Sequence, residues 1–139
     1  MTTAVQLAQS VAPGVSLGFK NRIINGAMMI DQRNAGASVS TSGSFPVDRF
    51  YMTKTNGSAT FTAQRSSTAP AGFINSLLWT TGTGASSGAT DQAQIRHAVE
   101  GLNMADLGWG TANAQTVTLS FWVRSSLTGT YSATELWWS

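Results

Sequence analysis

Residues 47–66 read VDRFYMTKTNGSATFTAQRS, and the order of large, small and polar side chains along this stretch decides the fold class. Phe50 and Met52 alternate with Arg49, Tyr51 and Thr53, so an extended chain sends the apolar pair to one side and the other three to the opposite side. Beyond Asn56-Gly57, Ala59, Phe61 and Ala63 alternate in the same way with Thr60, Thr62 and Gln64. A period of two on both sides of an Asn-Gly pair predicts a strand over 47–55, a tight turn and a second strand over 58–66, paired as a hairpin with one face buried.

The same period recurs along the chain. Residues 73–80 carry Phe73, Leu77 and Trp79 on one side and Ile74 and Leu78 on the other, which predicts a strand covered on both faces. Over 91–100, Ala93, Ile95, His97 and Val99 alternate with Gln92, Gln94 and Arg96, giving one core face and one polar face. The strongest run is 115–125, whose apolar face is Val117, Leu119, Phe121 and Val123. Residues 102–107 predict a short helix or turn, and Thr128-Gly129 leads into a last short strand over 130–136. Asn25-Gly26, between Ile23-Ile24 and Met28-Met29-Ile30, predicts either a hairpin turn or a bulge in an irregular edge strand. The segments 35–44 and 82–90, rich in Gly, Ser and Thr, are loops.

Composition agrees with sheet and turn. Charged residues are 10% of the 139, against about a quarter in typical soluble domains, and polarity comes instead from Ser, Thr, Asn, Gln and 14 Gly. The length suits one domain. Residues 1–18, broken by Pro13-Gly14, read as an N-terminal arm or linker, and residues 19–139 as the domain.

Charge and residue type bear on function. Eight basic and six acidic side chains are scattered, giving a net charge of +2 with no basic run to follow a phosphate backbone, so nucleic acid is not an expected partner. There is no Cys, so neither a disulfide framework nor a thiolate metal site is expected. No apolar run has transmembrane length, and 2–9 lack the basic and apolar regions of a signal peptide, so neither membrane insertion nor secretion is expected.

The search for chemistry returns little. His97, the one histidine, falls on the apolar side of its strand and is expected to be a hydrogen-bonded core residue. Among Asp31, Asp48, Asp91, Glu100, Asp106 and Glu135 no spacing marks an acid/base pair; Asp31 and Asp48 are expected to cap turns or pair with Arg33 and Arg49. No Ser sits in a nucleophile elbow, and no Lys follows Gly82-Thr83-Gly84 as a phosphate loop requires. Neither an enzyme, a cofactor nor a metal site is expected.

Trp122 is the most informative residue, because its neighbours on the polar face of 115–125 are Thr118, Ser120 and Arg124. It has two readings. A sugar-stacking platform would use Arg124 and Gln94, Arg96 or Tyr51 as hydrogen-bonding groups. A subunit contact would use the same residue types, since Trp and Arg are enriched at interfaces. Trp109 shares this ambiguity, whereas Trp79 is expected in the core. Trp137-Trp138 carry large apolar areas and are expected to pack on their own domain or on a neighbouring subunit.

Four segments, KNRIINGAMMIDQR at 20–33, PVDRF at 46–50, EGLNMADLGWG at 100–110 and LSFWVRS at 119–125, together resemble the jelly-roll domains of phage tail-fibre and related virion structural proteins, which look like carbohydrate-binding modules. The resemblance implies an all-β, antiparallel sandwich of jelly-roll type in a structural or adhesive virion component. It further implies a homo-oligomer, a trimer first of all, in contact with other virion proteins and able to hold host-surface carbohydrate. The alternatives are a purely structural fibre or capsid-decoration subunit and, further off, a glycan-degrading enzyme. A complete jelly roll has eight strands, whereas this sequence offers about six or seven. Either the sequence is shortened or the missing strand partners come from other copies, because an open sheet edge invites pairing between subunits.

Overall fold

The computed structural model describes residues 20–55, 57–84 and 88–128. The N-terminal arm, the expected strand over 130–136 and Trp137-Trp138 lie outside the described residues. Among the described residues four strands form: β1 (Phe50–Thr55), β2 (Phe61–Ser66), β3 (Ser76–Thr81) and β4 (Gln92–His97), followed by two 3₁₀ turns at Gly101–Asn103 and Ala105–Leu107. The strands make two antiparallel two-stranded sheets, β1 with β4 and β2 with β3. The all-β class read from the sequence stands at this level, and the turn expected over 102–107 is present.

The pairing differs from the hairpin expected through residues 56–57. β1 and β2 sit in different sheets. The left-handed Gly57 (φ +70°) turns a corner beside Asp91, where a Cβ would come within 2.8 Å of the carboxylate. The edge of β1 away from β4 is filled by the preceding chain, with the Gly43 amide donating to the Met52 carbonyl (2.7 Å) and the Met52 amide to the Ser44 carbonyl (2.8 Å). The edge of β2 away from β3 is met by Val39, whose amide and carbonyl exchange two 2.9 Å bonds with Ala63. Residues 39–44 therefore run as a strap from one sheet to the other. Alternation reports which face is buried and not which strand lies alongside, so both arms kept their faces while exchanging partners.

The core lies where the strap crosses the strands. Among the described residues, Val47, Met52, Ala63 and Leu107 are the buried hydrophobic side chains, and Pro46 is also fully enclosed. Met52 on β1 faces Ile95 on β4, and Ala63 on β2 faces Trp79 on β3, whose ring meets Phe61 at 5.2 Å between centroids. These are the inward faces that the sequence pattern assigns.

Two expectations fail. The run 73–80 is not covered on both sides, because Ile74 is 68% exposed and Phe73 and Leu78 also face outward; β3 starts only at Ser76, and among the described residues no second layer covers its Leu78 face. The run 115–125, the strongest strand by pattern, joins no ladder among the described residues. Its apolar face of Val117, Leu119, Phe121 and Val123 is exposed, and among the described residues no strand pairs with it.

Candidate functional site

Three of the four segments that carry the family resemblance meet in space, and they do so through polar clamps. Asn25 adopts a left-handed backbone (φ +58°) that closes a turn, with the Met28 amide donating to its carbonyl at 2.9 Å. Its side-chain amide donates to the carbonyls of Ile30 and Asp48, both at 2.8 Å, while its Oδ1 accepts from the Ile30 amide at 3.0 Å. The turn at 23–28 is thereby fixed to the start of β1. The sequence left a hairpin turn or a bulge open here; the turn forms, without flanking strands.

Asp31 is buried and caps the next loop, accepting from the amides of Asn34 (3.2 Å) and Gly36 (2.6 Å). Asp48 accepts from the Gln32 amide at 3.2 Å and lies 3.8 Å from Arg33 Nε. Turn-capping and the Arg33 pairing were the expected roles. Arg49, however, turns away from the aspartates to Glu100 at 2.6 Å and to the Ala98 carbonyl at 2.9 Å.

The third segment is tied in by Arg22, whose guanidinium holds the Asp106 carboxylate with two bonds of 2.6 and 2.7 Å and also donates to the Asn103 carbonyl. Lys20 adds a 3.5 Å contact to the same carboxylate. The hydrogen bonds from Arg22, more than its charge, hold the Asp106 carboxyl well below the usual carboxylate range, and the same bonds raise Arg22. Glu100 is also lowered, first by its own backbone amide and then by Arg49. A carboxylate depressed on folding stabilises above its unfolded pKa and loses that contribution as pH falls. The melting temperature of the wild type is thus expected to exceed that of Asp106→Asn at pH 7, with the gap closing below pH ~4, where an unfolded aspartate gains its proton. Thermal melts of both proteins from pH 7 to pH 2 check this.

His97 behaves as a structural residue. Its Nε2 lies 2.9 Å from the Ile24 carbonyl, which only accepts, so Nε2 carries the proton, and its ring meets Phe50 edge-on at 4.8 Å between centroids. Among the described residues no group of three or more His, Asp or Glu is placed to hold a metal ion. Nor, among them, is any helix long and apolar enough to cross a membrane.

The site candidates divide into two groups. The register of β1 and β4 places Tyr51 opposite Arg96, Thr53 opposite Gln94 and Thr55 opposite Gln92, so that all six side chains share the face away from Met52. Along β4, Arg96 Nε donates to Gln94 Oε1 at 2.7 Å and Gln94 Nε2 to Gln92 Oε1 at 3.2 Å, a chain of side-chain bonds at two-residue spacing. Tyr51 contacts Phe45 at 5.7 Å between ring centroids, and the Arg33 guanidinium stacks over Phe45 at 4.1 Å. Phe45 was not singled out from sequence, and Arg33 only as an ion-pair partner of the aspartates, since both lie in irregular chain where period-two alternation carries no signal.

Trp122 and Arg124 stand apart on the unladdered run, with Trp122 76% exposed, and no ring contact or hydrogen bond joins Trp122 to the Tyr51 face among the described residues. Trp109 is half-buried and donates from Nε1 to the Gln115 carbonyl at 2.8 Å, so it anchors the start of that run. Tyr51, Gln94 and Arg96 therefore form one surface, and Trp122 and Arg124 stand apart from it on the run that Trp109 anchors.

No protein-family description, curated protein or solved structure matches the chain.

Proposed function

We propose that the chain is a structural and adhesive component of a phage virion, a tail fibre or similar appendage, that assembles as a homo-oligomer and holds host-surface glycans without transforming them. Its strands would form part of a jelly-roll-type sandwich. The resemblance of 20–33, 46–50, 100–110 and 119–125 supplies the class, and one observation carries the glycan reading. The Tyr51–Arg96 register makes a shallow, solvent-facing strip with donors, acceptors and an aromatic ring side by side. Sugar hydroxyls take neutral and cationic hydrogen bonds from such groups, while a sugar's apolar face stacks on a ring.

Asp31 and Asp48 have structural partners, since Asp31 caps a loop and Asp48 holds the Gln32 amide. That favours retention over cleavage. The purely structural alternative draws support from the exposed run 117–123, which offers apolar area and no polar recognition set.

A glycan array probed with the wild type, Arg96→Ala, Tyr51→Ala and Trp122→Ala tests the reading. At least one glycan class is expected to bind, with affinity falling ~10-fold or more in Arg96→Ala, as the loss of a charge-assisted hydrogen bond and the Gln94 tie predicts. A Tyr51→Ala loss without a Trp122→Ala loss would assign binding to the β1–β4 face. Uniform absence of binding would leave the purely structural subunit.

A further inference from the structure

Bonding on the far side of β2 determines which backbone groups β3 leaves open. Ala63 spends its amide and carbonyl on Val39, so Ala63 and its partner Trp79 form a pair without mutual hydrogen bonds. In antiparallel pairing such residues alternate with bonded ones, and Leu77 and Trp79 therefore direct their amides and carbonyls away from β2. No other described residue takes them up. This open edge also lacks the usual protection. β1 carries Lys54, β2 Arg65 and β4 Arg96, whereas β3 reads SLLWTT and contains neither a charge, a proline nor a glycine.

The same chain contains a segment with the matching need. Residues 117–123 alternate with period two, join no ladder among the described residues, and expose Leu119 at 58% and Phe121 at 60%. The segment is tethered at its start, where the Gln115 amide donates to the Leu107 carbonyl at 2.8 Å and Trp109 to the Gln115 carbonyl. Laid along β3, it would continue the inward face of Leu77 and Trp79 with Val117, Leu119, Phe121 and Val123. Its other face would bring Trp122 to the side of exposed Leu78. The inward face is then apolar against apolar, the outward face sets the Trp122 ring beside Leu78 among small hydroxyl side chains, and the open backbone groups of two edges satisfy each other.

We infer that residues 117–123 of one copy of this chain add as a strand to the free edge of β3 in a second copy. Each copy donates one strand and accepts one, so the contact is heterologous and propagates into a closed ring or an open chain. The inference rests on the assembly part of the function proposed above and is independent of glycan binding.

The absence of cysteine makes the contact directly testable. Two proteins, Thr80→Cys and Ser120→Cys, are prepared separately, mixed, and treated with a short bismaleimide, alongside sedimentation equilibrium of the wild type and Leu78→Lys. Mixed cross-linked dimers are expected at ~10-fold or more above either protein treated alone. Leu78→Lys, with its charge on the face that Trp122 would cover, is expected to weaken association by a similar factor while retaining its circular dichroism and melting temperature. If Leu78→Lys unfolds, Thr80→Lys on the same exposed face replaces it. Association without the mixed cross-link, and unaffected by the lysine, would overturn strand addition and leave the assembly reading standing. A wild type that sediments as a monomer at every concentration would overturn both.

Discussion

Truncating Met52 to alanine is expected to lower the free energy of unfolding by about 2–5 kcal/mol, the range found when a fully buried long side chain is removed from a core that relaxes only in part. Met52 is 1% exposed on β1, opposite Ile95, and its amide and carbonyl are both taken by the strap at Gly43 and Ser44. The side chain therefore lies at the junction of β4, β1 and the strap, where backbone bonds on one side resist collapse into the cavity. Few other side chains share the load, since the buried hydrophobic set among the described residues is Val47, Met52, Ala63 and Leu107. Chemical denaturation followed by tryptophan fluorescence measures the change. A loss under ~1 kcal/mol would place Met52 at a site that repacks freely and would remove the junction from the core.

Replacing Asn25 by alanine is expected to cost about 2–4 kcal/mol by a different route. Alanine in the left-handed conformation that Asn25 adopts is disfavoured by roughly 1–2 kcal/mol. Three side-chain hydrogen bonds are lost in addition; the one to the Asp48 carbonyl is part-buried and the two with Ile30 are exposed, so together they contribute about 1–2 kcal/mol net. Asn25→Gly separates the two causes, because glycine tolerates the backbone angle but makes none of the bonds. Its stability is expected between those of the wild type and Asn25→Ala. If the glycine variant matched the wild type, the clamp between the 23–28 turn and β1 would contribute nothing and the backbone angle alone would explain the alanine.

Much of what positions the candidate site was legible in the sequence. Alternation over 50–55 and 92–97 assigned Met52 and Ile95 to one face and Tyr51, Gln94 and Arg96 to the other, as the register shows. Which strands lie side by side was not legible. Asn56-Gly57 is a strong hairpin signal, but the edges on either side of it were claimed by residues 39–44, and a competing tertiary hydrogen bond leaves no trace in a period of two. Pairing of Arg22 with Asp106, separated by 84 positions, is likewise invisible to local pattern. The contacts by which Asn25, Arg49 and Arg22 clamp the segments 20–33, 46–50 and 100–110 together span tens of positions and are equally invisible to it.

The run 115–125, read as a strand with one apolar face, forms no strand in the structure and leaves that face exposed. Single exposed apolar side chains are ordinary on protein surfaces, whereas Val117, Leu119, Phe121, Trp122 and Val123 in succession make a patch that water covers at a cost. The physical content of the proposed assembly is that another copy covers it.

Hydrogen exchange at the amides of residues 117–123, measured at high protein concentration and again after dilution, tests that claim most directly. Alternate amides are expected to be protected in the concentrated sample and to exchange nearly as fast as an unstructured chain once diluted, with the Leu77 and Trp79 amides losing protection in parallel. Protection that persists unchanged on dilution would show the run folded onto its own domain, and rapid exchange at every concentration would show that nothing pairs with it.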